Sequence, residues 1–251
     1  MDGVATIYNQ SMRPHLAVTG NSTLSGRIKI SGAKNSALVL MAASLLTKEK
    51  IKITNIPSLT DIHVMAKILA KMGVKIQKEN DTLWIDSKKL NPVELPSNLV
   101  HSLRASFFCI GPLLARLGEA KVPLPGGCQI GLRPVNEHLK GLRALGAKID
   151  FQGNIIKATI PGKVKRLKGA NITFNCPSVG ATETILMAAT LSEGTSIINN
   201  AAQEPEIEDL ANMLNSMGAK ITGAGSPRIK VEGVNKLHGC IHTAIPDRIE
   251  A

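Results

Sequence analysis

A five-residue pattern that occurs three times along the chain constrains the fold more than any other feature. It reads MGVKI at 72–76, LGAKI at 145–149 and MGAKI at 217–221, with the glycines 73 and then 72 residues apart. A period of this length is typical of a repeated supersecondary unit. We therefore expect three copies of one unit in this chain of 251 residues.

Each copy has the same predicted order of helices and strands. An Ala-rich helix is followed by a short strand, a second helix that ends at the repeated glycine, and two further strands. Glycine suits that position because it adopts the left-handed backbone that commonly ends a helix. The alternation of helices and strands indicates the α/β class. The predicted Ala-rich helices are 33–46, 104–117 and about 178–191, and the predicted strands include 50–54, 82–86, 120–124, 155–160, 195–199 and 228–232.

The Ala-rich helices are predicted to lie in the interior. The stretches ALVLMAA at 37–43 and TILMAA at 184–189 are apolar on nearly all sides, and a helix of that kind is normally buried. If three such helices lie parallel around a pseudo-threefold axis, their N-termini emerge together. Their free N–H groups and positive dipole ends then attract an anion.

Two cations support an anion site at these helix starts. Lys34 and Arg104 align at the starts of the first two Ala-rich helices, with Ser31 and Ser102 at equivalent capping positions. Each cation taken alone is equally consistent with an ordinary charged surface. Their occurrence at equivalent positions favours a binding site.

The net charge of +11 is consistent with an anionic partner or with a solvated basic surface. One Trp, one Tyr and four Phe offer little for stacking nucleic-acid bases, so a small phosphorylated ligand fits better than nucleic acid. The four cysteines form no CxxC pair and no His cluster has metal spacing, so we expect free thiols and no metal.

The chain is expected to be cytoplasmic and not to enter a membrane. No apolar run approaches the roughly 18–20 residues of a membrane span. The first residues lack the apolar core of a secretory signal. A short transit peptide for a plastid-type compartment stays open.

The loop of the middle copy differs from the other two. From the first strand to the repeated glycine it is two residues longer, and the extra length falls in LPGGCQIG at 124–131. Three glycines around Cys128 predict a mobile loop with an accessible thiol. Arg133 and the following helix start would lower the pKa of that thiol or hold a phosphate nearby. The alternative is a flexible surface turn in which the cysteine is incidental.

Several ordered motifs resemble one family. The sequence from about residue 15 to its last residue resembles the UDP-N-acetylglucosamine 1-carboxyvinyltransferases, the enolpyruvyl transferases of early peptidoglycan synthesis. The related shikimate-pathway transferases lack the Gly-Gly-Cys loop. The motifs are SGAKN at 31–35, LRAS at 103–106, LPGGCQIG at 124–131, RPV at 133–135, SVGAT at 178–182, AQEPEI at 202–207 and PDRIE at 246–250.

The resemblance implies a reaction and a set of site residues. The enolpyruvyl group of phosphoenolpyruvate would move to the 3-hydroxyl of UDP-N-acetylglucosamine with release of phosphate, without a metal or an organic cofactor. Cys128 would be the general acid that protonates the methylene carbon, and it can also form a covalent adduct. Lys34 would contact phosphoenolpyruvate and Asn35 the sugar, while Arg104 and Arg133 would bind anionic groups. The other implied contacts are Pro134, Val135, Asn136 and Glu137 on the uridine side and Cys176, Pro177, Ser178 and Val179 at the diphosphate.

The sequence departs from the family pattern at two places. Asn136 and Glu137 stand where the family often has Asp-Leu, which affects the uridine side. Cys176 and Pro177 stand where some members have a lysine, which affects the diphosphate contact.

The resemblance also implies an inside-out α/β barrel domain of three repeats, with remnants of a second such domain. Two readings of function follow, a working transferase and a truncated chain that at most binds UDP-N-acetylglucosamine. The expected domains are an N-terminal segment 1–33 of the second domain, the three-repeat domain 34–241 with units of about 34–90, 103–161 and 178–233, and a return strand 242–251 to the second domain.

Overall fold

The three units of the sequence are visible in a computed structural model. It describes residues 17, 19–21, 23, 25–91, 103–124, 135–163 and 166–251. The helices are α1 (Lys34–Ala43), α2 (Thr60–Lys71), α3 (Ile110–Leu117), α4 (Asn136–Ala144), α5 (Val179–Thr190) and α6 (Pro205–Ser216). The strands are β1 (Ile51–Thr54), β2 (Lys75–Glu79), β3 (Thr82–Asp86), β4 (Glu119–Pro123), β5 (Lys148–Gln152), β6 (Ile155–Thr159), β7 (Asn171–Thr173), β8 (Thr195–Asn199), β9 (Lys220–Thr222), β10 (Arg228–Glu232) and β11 (Ile241–Thr243).

The repeated glycines end equivalent helices. Gly73, Gly146 and Gly218 follow α2, α4 and α6, and their φ angles are +84°, +91° and +97°. A side chain would strain this left-handed backbone, whereas glycine adopts it freely. The predicted helix ends are therefore confirmed in all three units.

The predicted Ala-rich helices are also present, with one difference. The first continues past α1 as a 3-10 turn, Ser44–Leu46. The second opens as a 3-10 segment, Arg104–Cys109, before it becomes α3. Pro112 lies in the first turn of α3, where the missing N–H costs no intrahelical bond.

Three sheets surround these helices. Their strand orders are β11-β1-β3-β2, β4-β6-β5 and β7-β8-β10-β9. In each, the last strand of the unit lies in the middle and pairs antiparallel with two strands, the one directly before it in the chain and the one after the Ala-rich helix. β7 adds parallel to β8, and β11 adds parallel to β1 in the same way. The end of the third unit thus completes the sheet of the first.

The interior is built on two helices that have no polar face. In α1 the residues from Ser36 to Ala43 are all buried, and in α5 those from Ala181 to Thr190 are all buried. The other described helices bury one side, and strands such as β10 alternate buried and exposed residues. Helices inside and sheets outside confirm the predicted α/β class and the inside-out arrangement.

The last residues return to the first unit. Lys52 of β1 pairs with Ile241 of β11, Ala33 N–H donates to the Ile245 carbonyl at 2.7 Å, and Gly32 bridges Pro246. A Cβ on Gly32 would lie 1.6 Å from the Asn55 carbonyl oxygen, so this crossing admits no side chain there. The predicted boundary at 241/242 falls within β11, which pairs with β1, and the division into domains stays a prediction.

Asp209 of α6 fixes the return segment, residues 242–250, to the core. Its carboxylate accepts from the Ser36 hydroxyl of α1 and lies 2.7 Å from His242 Nε2. It also accepts from the Ile245 N–H at 3.4 Å. Asp209 is 3% exposed, so all of these contacts are shielded from water. One buried carboxylate therefore joins α1, α6 and the return segment.

Asp247 acts as a cap for α1 from 213 positions away in the sequence. One oxygen accepts from the Lys34 N–H at 3.2 Å, and the other accepts from the Ile249 and Glu250 N–H groups at 2.8 and 3.3 Å. Burial opposes ionisation, but these N–H donors and the Arg248 charge outweigh it and lower the pKa of Asp247.

Two arginines close the opposite ends of the buried helices. Arg116 of α3 donates to the carbonyls of Leu45, Thr47 and Ser87, each within 2.8 Å. Arg166 donates in the same manner to the carbonyls of Leu191 and Val234 at 2.9 Å. Each guanidinium supplies donors to carbonyls that a helix end leaves unpaired.

We expect Arg116→Met to lower the free energy of unfolding by about 2–4 kcal/mol, because it leaves partly buried carbonyls without a donor. Urea denaturation measures the change. Arg143→Met, at the exposed end of α4, is the matched control and should change stability by less than about 0.5 kcal/mol. Equal stabilities of the two variants would contradict the role of Arg116.

We expect Asp247→Asn to lower the free energy of unfolding by about 1 kcal/mol at pH 7. The folded-state pKa of Asp247 is lowered, so its contribution is present above the ordinary value of 3.8 and is lost as the pH falls through the folded pKa. The difference from the wild type, measured by urea denaturation, should therefore shrink at acid pH. A difference that stayed constant down to pH 2 would refute this role.

Candidate functional site

The three Ala-rich helices are linked through the segment that begins the second one. The 3-10 segment that begins at Arg104 packs against both α1 and α5. Phe107 of that segment meets the His138 ring of α4 edge-on, with ring centroids 5.1 Å apart. These contacts join the start of the second Ala-rich helix to α4.

The starts of α4 and α5 are joined by direct contacts. Glu137 Oε2 accepts from the Asn175 N–H at 3.1 Å, and Lys140 Nζ donates to Asn175 Oδ1 at 2.8 Å. Asn175 directly precedes the segment from Cys176 to Val179. This brings together two of the predicted groups of substrate contacts, Val135, Asn136 and Glu137 on one side and Cys176, Pro177, Ser178 and Val179 on the other.

The backbone at the start of α5 remains available to a ligand. Ser178 is the N-cap, and its hydroxyl accepts from the Ala181 N–H at 3.4 Å. Cys176 and Pro177 are exposed, while Ser178 and Val179 are partly exposed. A helix start with exposed neighbours can bind an anion through its N–H groups and its dipole.

His138 was not singled out by the sequence analysis, yet it holds this region together. It is 8% exposed, and its Nδ1 lies 2.9 Å from the Thr184 hydroxyl of α5. Burial lowers the pKa of His138 to about 3, and the Arg104 charge adds to that shift. His138 is therefore neutral at pH 7. A lone histidine within a helix carries no sequence signal that would have identified it.

Gly180 marks how closely α4 and α5 approach. A Cβ at this position would lie 3.1 Å from His138 Cε1 and 3.1 Å from Phe108 Cε1. These contacts leave room for glycine but only a tight fit for any side chain. The start of α5 is thereby held against α4 and against the 3-10 segment that Arg104 begins.

The start of α1 is arranged differently from the prediction. The Lys34 ammonium lies 3.1 Å from Asp61 Oδ2, and both side chains are about one-third to two-fifths exposed. Asn35 is exposed. Ser31 was expected to cap the helix, but its hydroxyl donates to Glu250, and the Asp247 carboxylate occupies the first N–H instead.

Three predicted site residues, Cys128, Arg133 and Pro134, lie outside the described residues, as does Ser102. The structure does show where their segment is attached. Leu124, which follows β4, donates its N–H to the Asn154 carbonyl at 2.6 Å, and Val135 is buried beside α4. Both flanking residues thus belong to the second unit.

Within the described ranges no three His, Cys, Asp or Glu side chains group as metal ligands. None of the helices described in the structure is both long and apolar enough to cross a bilayer.

Two other thiols stay protonated and therefore unreactive at neutral pH. Burial raises the pKa of Cys109 to about 12 and that of Cys240 to about 11.

Comparison with known proteins identifies the family. The model of the EPSP synthase (3-phosphoshikimate 1-carboxyvinyltransferase) family matches residues 18–251. Proteins named UDP-N-acetylglucosamine 1-carboxyvinyltransferase from Prochlorococcus marinus strains MIT 9313 and NATL2A are 57% and 61% identical over all of this chain. The one from Synechococcus sp. strain CC9605 is 57% identical.

The match covers only part of these relatives. The chain spans 58%, 55% and 58% of the three proteins, about half of their length.

Solved structures share the fold. The enolpyruvyl transferase NikO from Streptomyces tendae has a TM-score of 0.78 at 24% identity, covering 92% of this chain and 54% of its own. EPSP synthase from Acinetobacter baumannii has a TM-score of 0.70 at 21% identity, covering 90% and 51%. The sequence matches and the shared fold together show that this chain belongs to the EPSP synthase (3-phosphoshikimate 1-carboxyvinyltransferase) family and is similar to about half of the proteins named UDP-N-acetylglucosamine 1-carboxyvinyltransferase.

Proposed function

We propose that the protein takes part in transferring the enolpyruvyl group of phosphoenolpyruvate to the 3-hydroxyl of UDP-N-acetylglucosamine, with release of phosphate. The observation that carries this proposal is the identity of 57–61% over the whole chain with proteins of that name. The reaction is the first committed step of peptidoglycan synthesis. Both substrates are cytoplasmic metabolites, so we place the protein in the cytoplasm.

The reaction adds and then removes a proton at one carbon. The 3-hydroxyl oxygen forms a bond to C2 of phosphoenolpyruvate and gives up its proton to a base, while Cys128 donates a proton to the C3 methylene. Loss of a proton from the resulting methyl group re-forms the double bond as the C2–O bond to phosphate breaks. A thiol suits this role because it can be returned to its protonated form after each turnover.

The starts of α4 and α5 suit the nucleotide. They are joined through Glu137 and Asn175, and they present Asn136 and Ser178 beside exposed backbone. A diphosphate gains from helix N–H groups and from a nearby guanidinium, which Arg104 would provide. The net charge of +11 adds a favourable long-range field for two anionic substrates.

The start of α1 suits the second substrate through side chains. Asp247 already accepts the Lys34 N–H, so the backbone there is satisfied. Lys34 Nζ is paired with Asp61, whose side chain is about one-third exposed, and a pair of this kind contributes little to stability and exchanges readily. A phosphate would draw the ammonium away from Asp61, with Asn35 free to meet the sugar.

A second function is a chain that binds UDP-N-acetylglucosamine without turning it over. The observation in its favour is coverage, because the chain spans about half the length of the relatives it matches. An experiment can distinguish the two functions. A working transferase binds the substrates and releases phosphate, whereas a binding protein binds UDP-N-acetylglucosamine and releases none.

We expect the 251-residue chain to release phosphate from phosphoenolpyruvate and UDP-N-acetylglucosamine, and Cys128→Ala to lower kcat by a factor of about 10² or more, because a general acid typically contributes that much. A coupled phosphate assay measures it. Cys240→Ala is the matched control, because burial raises the pKa of the Cys240 thiol and keeps it protonated. No release above the Cys128→Ala level would rule out catalysis by this chain alone.

We expect Arg104→Met to weaken binding of UDP-N-acetylglucosamine about tenfold or more, the equivalent of one charge-assisted hydrogen bond. Isothermal titration calorimetry at low salt measures the affinity. Arg143→Met is the control cation at the far end of α4 and should bind as the wild type does. An unchanged affinity in Arg104→Met would contradict the site.

A further inference from the structure

One acidic side chain is buried in an apolar helix. Glu183 lies in α5, where ten consecutive residues are buried, and it is 1% exposed. Its Oε2 has no hydrogen-bond partner, and it is the one buried side-chain oxygen or nitrogen of that kind in the part of the chain that the structure describes. Such an atom costs about 1–3 kcal/mol in a neutral group and more in a charged one.

Two further carboxylates are buried nearby on α6, and each has a positively charged or titratable partner. Asp209 pairs with His242, and Glu206, at 3% exposure, accepts from Arg248 Nε at 3.2 and 3.4 Å. No such contact is present at Glu183 among the described residues. An ionised Glu183 would therefore be an uncompensated buried charge, which costs several kcal/mol.

Burial and the neighbouring charges all favour the protonated form of Glu183. Burial raises the pKa of Glu183 well above its ordinary value, and the nearby charges of Glu206 and Glu204 raise it further. On α4, His138 bonds to the adjacent Thr184 and is neutral at pH 7, while the Arg104 charge from the 3-10 segment acts on that histidine. A carboxyl group that keeps its proton is a hydrogen-bond donor. The Glu206 carboxylate, on the helix α6 that packs against α5, is an acceptor whose charge acts on Glu183.

We propose that Glu183 keeps its proton at neutral pH and donates it to the Glu206 carboxylate, so that Arg248, Glu206 and Glu183 form a latch between the return segment and α5. We call this trio the carboxyl latch. A proton shared between two adjacent carboxyl groups removes the repulsion between them and satisfies the unpartnered oxygen. Arg248 then neutralises the remaining charge from the return segment.

The carboxyl latch gives Glu183 a positioning role. The return segment lies across the start of α1, where Asp247 accepts from Lys34 and Ala33 donates to Ile245. A latch that holds Arg248 therefore also holds the backbone next to Lys34 and Asn35. The latch itself does not depend on the proposed function, whereas its effect on substrate would.

The pH dependence of stability tests the latch. The folded chain would hold one proton that the unfolded chain releases above about pH 4.5, so folding weakens as the pH rises toward the folded pKa of Glu183. In Glu183→Gln an amide donates to Glu206 at every pH. We expect the folding equilibrium constant of the wild type, relative to Glu183→Gln, to fall about tenfold per pH unit between pH 5 and that pKa, or about 1.4 kcal/mol per unit.

Urea denaturation of the 251-residue chain from pH 5 to 9 measures the ratio. Glu208→Gln, an exposed carboxyl on α6, is the control and should keep the wild-type pH profile. If the folding equilibrium constant of the wild type, divided by that of Glu183→Gln, does not vary from pH 5 to 9, Glu183 is ionised in the folded chain. That result would overturn the proposal.

Hydrogen exchange tests the positioning role separately. Glu183→Leu removes the donor but keeps an apolar side chain, so we expect the N–H groups of Asp247 and Ile249 to exchange at least tenfold faster at pH 7, with wild-type rates in Glu183→Gln. Equal protection in all three proteins would refute the latch. If Glu183→Leu does not fold, the comparison of Glu183→Gln with the wild type still decides. Loss of phosphate release with an intact latch would count against the proposed function alone.

Discussion

The structure depends on enclosing two helices that have no polar side. α1 and α5 are buried along nearly their whole length, so each must be covered in every direction. A single sheet or a single partner helix cannot do this, because each covers one side. Three sheets and the remaining helices together can, and a unit repeated three times supplies them. Burial at roughly 1.5–3 kcal/mol for each large aliphatic side chain makes this enclosure the main source of stability.

Enclosed helices create a second requirement at their ends. The unpaired N–H and carbonyl groups of a buried helix need partners, since water does not reach them. Asp247 meets the start of α1, Ser178 meets the start of α5, and Arg116 and Arg166 meet the carbonyl ends. The start of α5 remains partly exposed, and the proposed diphosphate contacts lie there. The proposed binding region is thus a helix end whose N–H groups the protein leaves partly unpaired.

Much of the fold follows from local patterns in the sequence. The repeated glycine and the apolar stretches predicted the units, the interior helices and several strands, because spacing and hydrophobicity act within about ten residues. The side chains that pair with the ends of the buried helices were not predicted. Asp247 is 213 positions from Lys34, whose N–H it accepts, and Arg116 donates to carbonyls of another unit. Such pairs depend on tertiary approach and leave no periodic trace in one sequence.

The candidate site shows the same division between local pattern and tertiary contact. Lys34, Arg104 and Ser178 were identified by aligning helix starts, and the structure shows that the segment beginning at Arg104 packs against both α1 and α5. His138 was missed because a single buried histidine resembles any other helix residue. Glu183 was missed for the opposite reason, since a charged residue inside an apolar helix reads as an interruption of the pattern until its surroundings are known. The role of Cys128 stays a prediction.

The pairing of β11 with β1 has a consequence for the order in which the protein forms on the ribosome. β1 leaves the exit tunnel long before Ile241, yet its outer edge is completed only by that late strand. The first unit therefore emerges with an exposed sheet edge and an uncapped helix, which is the condition under which strands pair with the wrong partner. The domain becomes self-contained in a single late event, when the segment from β11 to Asp247 closes over α1. Synthesis rate and chaperone binding during that interval would therefore influence the yield of this protein.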